Sequence, residues 1–130
     1  MKVLALDFGS ARTGVAVSDP TGTLARPLGV VEGAASENGL AELARLAREE
    51  EVERIVVGLP LTLRGTRGEQ AAETERFVEA LRGVVDVPVE LCDERFTTDL
   101  AQQTSGTAPE DALAAAHLLS TYLEWCAARS

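Results

Sequence analysis

The run RIVVGLP at residues 54–60 constrains the fold more than any other stretch of this chain. It is apolar at consecutive positions and rich in β-branched residues, without the alternation that leaves one face in water. It also lies between two amphipathic helical patterns. A strand of this kind suits a parallel sheet buried on both faces, because crossover helices cover the sheet from either side. Gly58 and Pro60 end it.

The flanking patterns support that reading. Residues 36–51 place Leu40, Leu43, Ala44 and Ala47 on one helical face and Glu and Arg on the other, with Ser36 or Asn38 as the cap. Residues 69–82 bring Ala71, Thr74, Val78 and Leu81 together at helical spacing. Pro88 then opens a short strand, VELCDE, Thr97 or Thr98 caps a brief helix, and QTSGTAPE reads as turns. Residues 110–126 form a last helix, packed through Leu113, Ala116, Leu119, Tyr122 and Leu123. Before all of these, KVLALDF at 2–8 and TGVAVSD at 13–19 predict a hairpin, and residues 23–31 a third strand. Pro27 suits an edge position, since it cannot donate to a ladder. The order β-β-β-α-β-α-β-α-α implies an α/β fold, a mixed sheet with helices on both faces, in a single domain spanning 1–130.

The chain carries 12 basic and 21 acidic residues, a formal net charge of −9. That balance argues against broad nucleic-acid affinity driven by counterion release. A polyanion partner then has to be held by a local patch or through metal ions. No apolar run approaches the roughly 18 residues of a membrane span, and the N-terminus lacks a secretory pattern, so a soluble cytoplasmic protein without membrane contact is expected. Cys92 and Cys126 are too few for a disulfide framework and read as buried thiols.

The chemistry-bearing residues recur where parallel sheets collect ligands, at the carboxyl ends of strands. Asp7 lies in the first strand, Asp93 and Glu94 follow the last, and Glu110 and Asp111 open the final helix. Five apolar residues around Asp7 predict burial of its carboxylate, which is costly unless it is paired. Three carboxylates converging from distant segments make a hard-oxygen site for Mg²⁺ or Mn²⁺. Two such ions about 4 Å apart can activate water and stabilise the leaving oxygen of a phosphodiester. Taken singly, each acid has a plainer reading: Asp7 as the partner of a neighbouring Arg, Asp111 as a favourable charge at a helix start.

GSARTG lacks the ending of a phosphate-binding P-loop and the spacing of a dinucleotide fingerprint. Gly9 and Gly14 either permit a tight hairpin or let a ligand approach closely, and Arg12 is a phosphate contact or a solvated turn residue. The loop GLPLTLRGTRG gathers Arg64 and Arg67 with Thr62 and Thr66, a donor-rich patch in an acidic chain. Arg95 either pairs with a carboxylate or positions substrate. His117 reads as a core-edge or surface residue, and Tyr122 and Trp125 as helix packing.

Through LDFGSARTGVAVSD, IVVGLPLTLRGTRGEQA, DERFTT and DALAAAHLLSTYL, in that order, the sequence resembles the YqgF/RuvX family. These are Holliday junction resolvase-like nucleases of ribonuclease H-like fold. The resemblance implies a five-stranded mixed sheet whose first three strands are antiparallel. It also implies that Asp7, Glu94 and Asp111 are catalytic and bind Mg²⁺ or Mn²⁺. Its Gly-Arg-Gly turn falls on Gly9, Arg12 and Gly14, and its loop motif on Gly58, Pro60, Gly65 and Thr66. The implied activity is maturation of the 5′ end of pre-16S rRNA, with branched DNA as a further substrate. Arg12, Arg64, Thr66, Arg67 and Arg95 then face the phosphate backbone, and junction resolution calls for a homodimer. Thr62 stands where the family carries Asn, Asp99 displaces the acid of a TTxEA pattern, and the segment before the last helix is short and lacks lysines. Two other readings use the same residues: a nucleic-acid or ribosome-precursor binding module with little catalysis, and a relative of the actin and sugar-kinase ATPases, for which 130 residues leave no second domain.

Overall fold

A computed structural model describes residues 2–9, 11–59, 69–93 and 110–129, with 59, 69–71, 93, 110, 111 and 125–129 described as backbone only. Its strands are β1 (Val3–Asp7), β2 (Arg12–Ser18), β3 (Ala25–Glu32), β4 (Arg54–Leu59) and β5 (Val89–Asp93). Its helices are α1 (Glu37–Glu49), α2 (Glu69–Arg82) and α3 (Glu110–Arg129). The strands form one five-stranded sheet in the order β3-β2-β1-β4-β5. β1, β2 and β3 pair antiparallel, and β1, β4 and β5 run parallel. The expected mixed sheet is therefore present, with Pro27 on the edge strand β3.

Alternation along the strands separates two cores. On one face Leu4, Leu6 and Phe8 meet Val15, Val17, Ile55 and Val57, covered by Leu43 and Ala47 of α1 and Phe77, Val78 and Leu81 of α2. On the other, Val3, Ala5, Ala16 and Val56 pack under Ala115, Leu118, Leu119, Tyr122 and Leu123 of α3. Ile55, Val56 and Val57 are all fully buried, as an inner parallel strand requires.

Local chemistry explains the element ends. The Ser36 hydroxyl caps α1, accepting the Gly39 N–H at 3.1 Å and donating to the Gly33 carbonyl at 2.6 Å. Gly9 closes the β1–β2 hairpin because the chain folds back onto itself there: a Cβ would stand 2.4 Å from the Arg12 carbonyl oxygen. At the opposite end of the sheet Asp19 organises the β2–β3 turn. Its carboxylate accepts the Thr21 hydroxyl at 2.6 Å and the N–H groups of Thr23 and Leu24 at 2.8 and 3.1 Å. Those bonds, Thr21 first and then Leu24 and Thr23, lower its pKa from 3.8 to about 2. A carboxylate held below its unfolded value contributes stability above that value and loses it as the folded form titrates. The protection of the Thr23 and Leu24 amides, taken relative to unstructured exchange at the same pH, is accordingly expected to hold above pH 3.8 and to fall as the pH drops towards 2. Unchanged protection across that interval would show that the carboxylate does not hold the turn.

Three expectations need correction. α3 buries Ala112, Ala115 and Leu118 alongside Leu119, Tyr122 and Leu123, whereas Leu113 and Ala116 are only half-buried. This helix is apolar nearly all round its first turns, so spacing alone does not select the packed side. Cys92 is half-buried on the edge strand β5, not enclosed. Asp7 is half-buried as well, because it terminates its strand where the sheet opens to solvent. The brief helix expected after Thr97 or Thr98 and the side chain of Cys126 lie outside the described residues.

Candidate active site

Asp7 is the last residue of β1 and shares the parity of Val3 and Ala5, so its side chain is on the face covered by α3. Among the described residues none hydrogen-bonds to its carboxylate or forms an ion pair with it. Its neighbours across the sheet explain the space around it. Asp7 stands opposite Gly14 of β2. On the other side Leu6 pairs with Val57, and one further step sets Asp7 level with Gly58 of β4. Gly14 shares the parity of Ala16, and Gly58 that of Val56, both of which pack under α3. Paired residues on one face of a sheet carry Cβ atoms about 5 Å apart, so at both flanks of Asp7 the side chain that would crowd its carboxylate is missing. Neither glycine has a positive φ, so backbone strain does not account for them. The hairpin glycines thus differ in place: Gly9 serves the turn, and Gly14 stands opposite the acid with no side chain.

The direction of α3 decides which end of it meets Asp7. The Tyr122 hydroxyl accepts from Arg54 Nη1 at 2.8 Å and donates to Glu90 Oε2 at 2.9 Å. Arg54 and Glu90 stand at the amino ends of β4 and β5, so the Tyr122 hydroxyl lies at the end of the sheet away from Asp7. From Tyr122 back to Asp111 a helix rises about 16 Å, and β4 rises about 13 Å from Arg54 to Gly58. Those lengths allow the first turn of α3, with Glu110 and Asp111 in its backbone, to reach the edge of the sheet where Asp7 lies. β5 ends at that same edge with Asp93, one residue before Glu94, and its α3-facing residues are Glu90 and Cys92.

Arg12 opens β2 at this edge, exposed and with the parity of Gly14 and Ala16, hence on the face of Asp7. Glu94, Arg64, Thr66, Arg67 and Arg95 lie outside the described residues, as does the side chain of Asp111. Among the described residues no three His, Cys, Asp or Glu side chains gather round one point. His117 is half-buried, in keeping with a core-edge position. Spacing along the chain did not reveal two features of the site: Gly58 as a flank of Asp7, and Tyr122 as more than packing. For the first a signal exists, a glycine on the inward parity of a strand predicted to adjoin that of the acid.

Comparison with known proteins settles the family. The model of RuvX, a Holliday junction resolvase family, matches residues 1–125. The chain belongs to the RuvX family. A Chloroflexus aggregans protein named as a pre-16S rRNA nuclease is 44% identical over 131 residues, covering 94% of this chain and 92% of that protein. A relative of the same name from Chloroflexus aurantiacus is 41% identical, over 94% of this chain and 86% of its own. Among solved structures, Thermus thermophilus RuvC in complex with a Holliday junction substrate superposes with a TM-score of 0.62 at 18% identity, covering 96% of each chain. The RuvX chain thus has the ribonuclease H-like fold of the RuvC resolvases, the fold the sequence motifs imply.

Proposed function

We propose that this RuvX protein is a divalent-metal-dependent nuclease that hydrolyses phosphodiester bonds in pre-16S rRNA at its 5′ end, in the cytoplasm. The observation that carries the reading is Asp7: a half-buried carboxylate with no partner among the described residues, flanked by Gly14 and Gly58, at the edge where β5 ends and α3 begins. A half-buried carboxylate in that setting suits a cation. Its family and the names of its relatives support the nuclease class and the RNA substrate.

Asp7, Glu94 and Asp111 are the residues proposed to hold Mg²⁺ or Mn²⁺, hard ions that favour carboxylate oxygens. Ions bound there supply positive charge for the phosphate and lower the pKa of water. Gly14 and Gly58 keep the flanks of Asp7 clear for that cargo. Arg12, exposed at the rim, is proposed to contact a phosphate oxygen, and Arg64, Thr66, Arg67 and Arg95 to extend that contact along the backbone. This division suits a chain of net charge −9, which excludes polyanions over most of its surface and admits one where cations gather.

The test is cleavage of pre-16S rRNA, single-stranded RNA and a four-way DNA junction by the purified chain, with Mn²⁺, with Mg²⁺ and with chelator. Turnover of the rRNA precursor is expected with either ion, lost in chelator and regained on adding Mn²⁺. Turnover that persists in chelator overturns the metal site. Binding without turnover under every ion returns the chain to a binding module. Resolution of the junction requires two sites on paired strands, so a dimeric mass in solution is expected if that substrate is cut.

A further inference from the structure

We propose that Tyr122 is a positioning residue, whose hydroxyl sets the height of α3 against the sheet and thereby the reach of Asp111 towards the ion site. The inference rests on the reading of Asp7, Glu94 and Asp111 as ion ligands. Asp111 belongs to α3, and Glu94 follows Asp93, the last residue of β5, in the sequence. The Tyr122 hydroxyl is a joint between those two elements: it donates to Glu90 of β5 at 2.9 Å and accepts from Arg54 of β4 at 2.8 Å. Arg54 and Glu90 are themselves an ion pair at 3.4 Å. The phenol ring is 4% exposed and seated among Val3, Ala5, Leu118 and Leu119, so the hydroxyl is delivered to its partners by a side chain that packing holds still.

Apolar packing holds α3 on the sheet through non-directional contacts, to which the Tyr122 hydroxyl adds directional ones. The contact combines small residues, Ala5 and Ala16 in the sheet and Ala112 and Ala115 in the helix, with larger ones such as Val56, Leu118 and Leu119. A hydrogen bond is directional and fails within a few tenths of an ångström. No Gly or Pro interrupts the helix between Asp111 and Tyr122, so a shift at one end is delivered to the other. Over about 16 Å of helix, a tilt of about 5° moves the far end by about 1.4 Å. Ligand sites tolerate only about 0.5 Å.

The experiment measures Mn²⁺ binding directly by titration calorimetry without substrate, together with melting curves, for the whole chain and its Tyr122→Phe, Glu90→Gln, Glu90→Ala and Asp7→Asn variants. Tyr122→Phe keeps the ring and removes only the hydroxyl. It is expected to weaken Mn²⁺ binding about tenfold, the loss typical of groups that orient metal ligands, with the melting temperature nearly unchanged. Glu90→Ala is expected to show the same loss, and Glu90→Gln, which retains an oxygen acceptor, to recover most of it. Mn²⁺ affinity equal to the wild type in Tyr122→Phe overturns the proposal, and so does a loss in Glu90→Gln as large as in Glu90→Ala. If Tyr122→Phe does not fold, the Glu90 pair decides by the same criterion. Asp7→Asn separates this inference from the reading beneath it. Unchanged Mn²⁺ binding there defeats both, whereas binding lost in Asp7→Asn and kept in Tyr122→Phe defeats only the role of Tyr122.

Discussion

Asp7→Asn is expected to lower phosphodiester hydrolysis by about two to three orders of magnitude while leaving the chain folded. The substitution is isosteric, and no hydrogen bond or ion pair with the described residues is lost with the charge. The carboxylate is half-buried with no partner among the described residues, so the neutral amide is tolerated in the apo protein. The functional cost has a different origin. An amide oxygen carries no net charge to hold a divalent ion, and a thousandfold loss corresponds to about 4 kcal/mol of transition-state stabilisation. Two measurements check this together. Turnover on the rRNA precursor falls, and the rise in melting temperature that Mn²⁺ gives the wild type by binding the native state disappears. An Asp7→Asn variant that turns over at the wild-type rate removes Asp7 from the chemistry.

Phe77→Ala is expected to destabilise the fold by about 3–5 kcal/mol, read as a lower denaturation midpoint with its slope unchanged. Phe77 is 2% exposed and stacks on Phe8 with ring centroids 4.4 Å apart and an interplanar angle of 15°. Removing it opens a cavity between α2 and the sheet that the surrounding Leu4, Leu6 and Val57 cannot collapse into without moving strands. Domains of this kind are stable by about 5–15 kcal/mol in total, so one ring accounts for a large share. Phe8 is the residue after Asp7, and the stack anchors the chain where β1 ends. A Phe8→Leu, Phe77→Leu double-mutant cycle is expected to show a coupling of about 0.5–1.5 kcal/mol. A Phe77→Ala midpoint close to wild type would mean that the aromatic pair does not support this side of the core.

Much of the fold was legible because its elements advertise themselves locally. The unbroken RIVVGLP run, the Leu40–Leu43–Ala47 stripe and the Pro27 edge each state a period or a broken donor, and the structure places all three accordingly. α3 was legible as a helix but not in its orientation about its own axis, because Ala112, Leu113, Ala115 and Ala116 present an apolar surface in nearly every direction. Phe77 escaped a face defined by Ala71, Thr74, Val78 and Leu81, although it adjoins that face and proves one of its largest buried side chains.

The candidate site divides along the same line. Residue type and motif identify Asp7, Glu94 and Asp111 as the acids, and Arg12 as the neighbouring cation, because carboxylate and guanidinium chemistry is a property of the residue. What surrounds Asp7 is a property of pairing register. Gly14 and Gly58 flank it only because β2 and β4 align as they do, across separations of 7 and 51 residues. The same holds for α3, whose Tyr122 meets Arg54 and Glu90 at the end of the sheet away from Asp7. Short-range periodicity and side-chain chemistry are written in neighbouring residues, so the sequence alone determined the elements and nominated the acids proposed for the site. Register and helix direction are set by contacts between residues far apart in the chain, whose closure is rewarded only when the whole core packs, and those the tertiary structure decided.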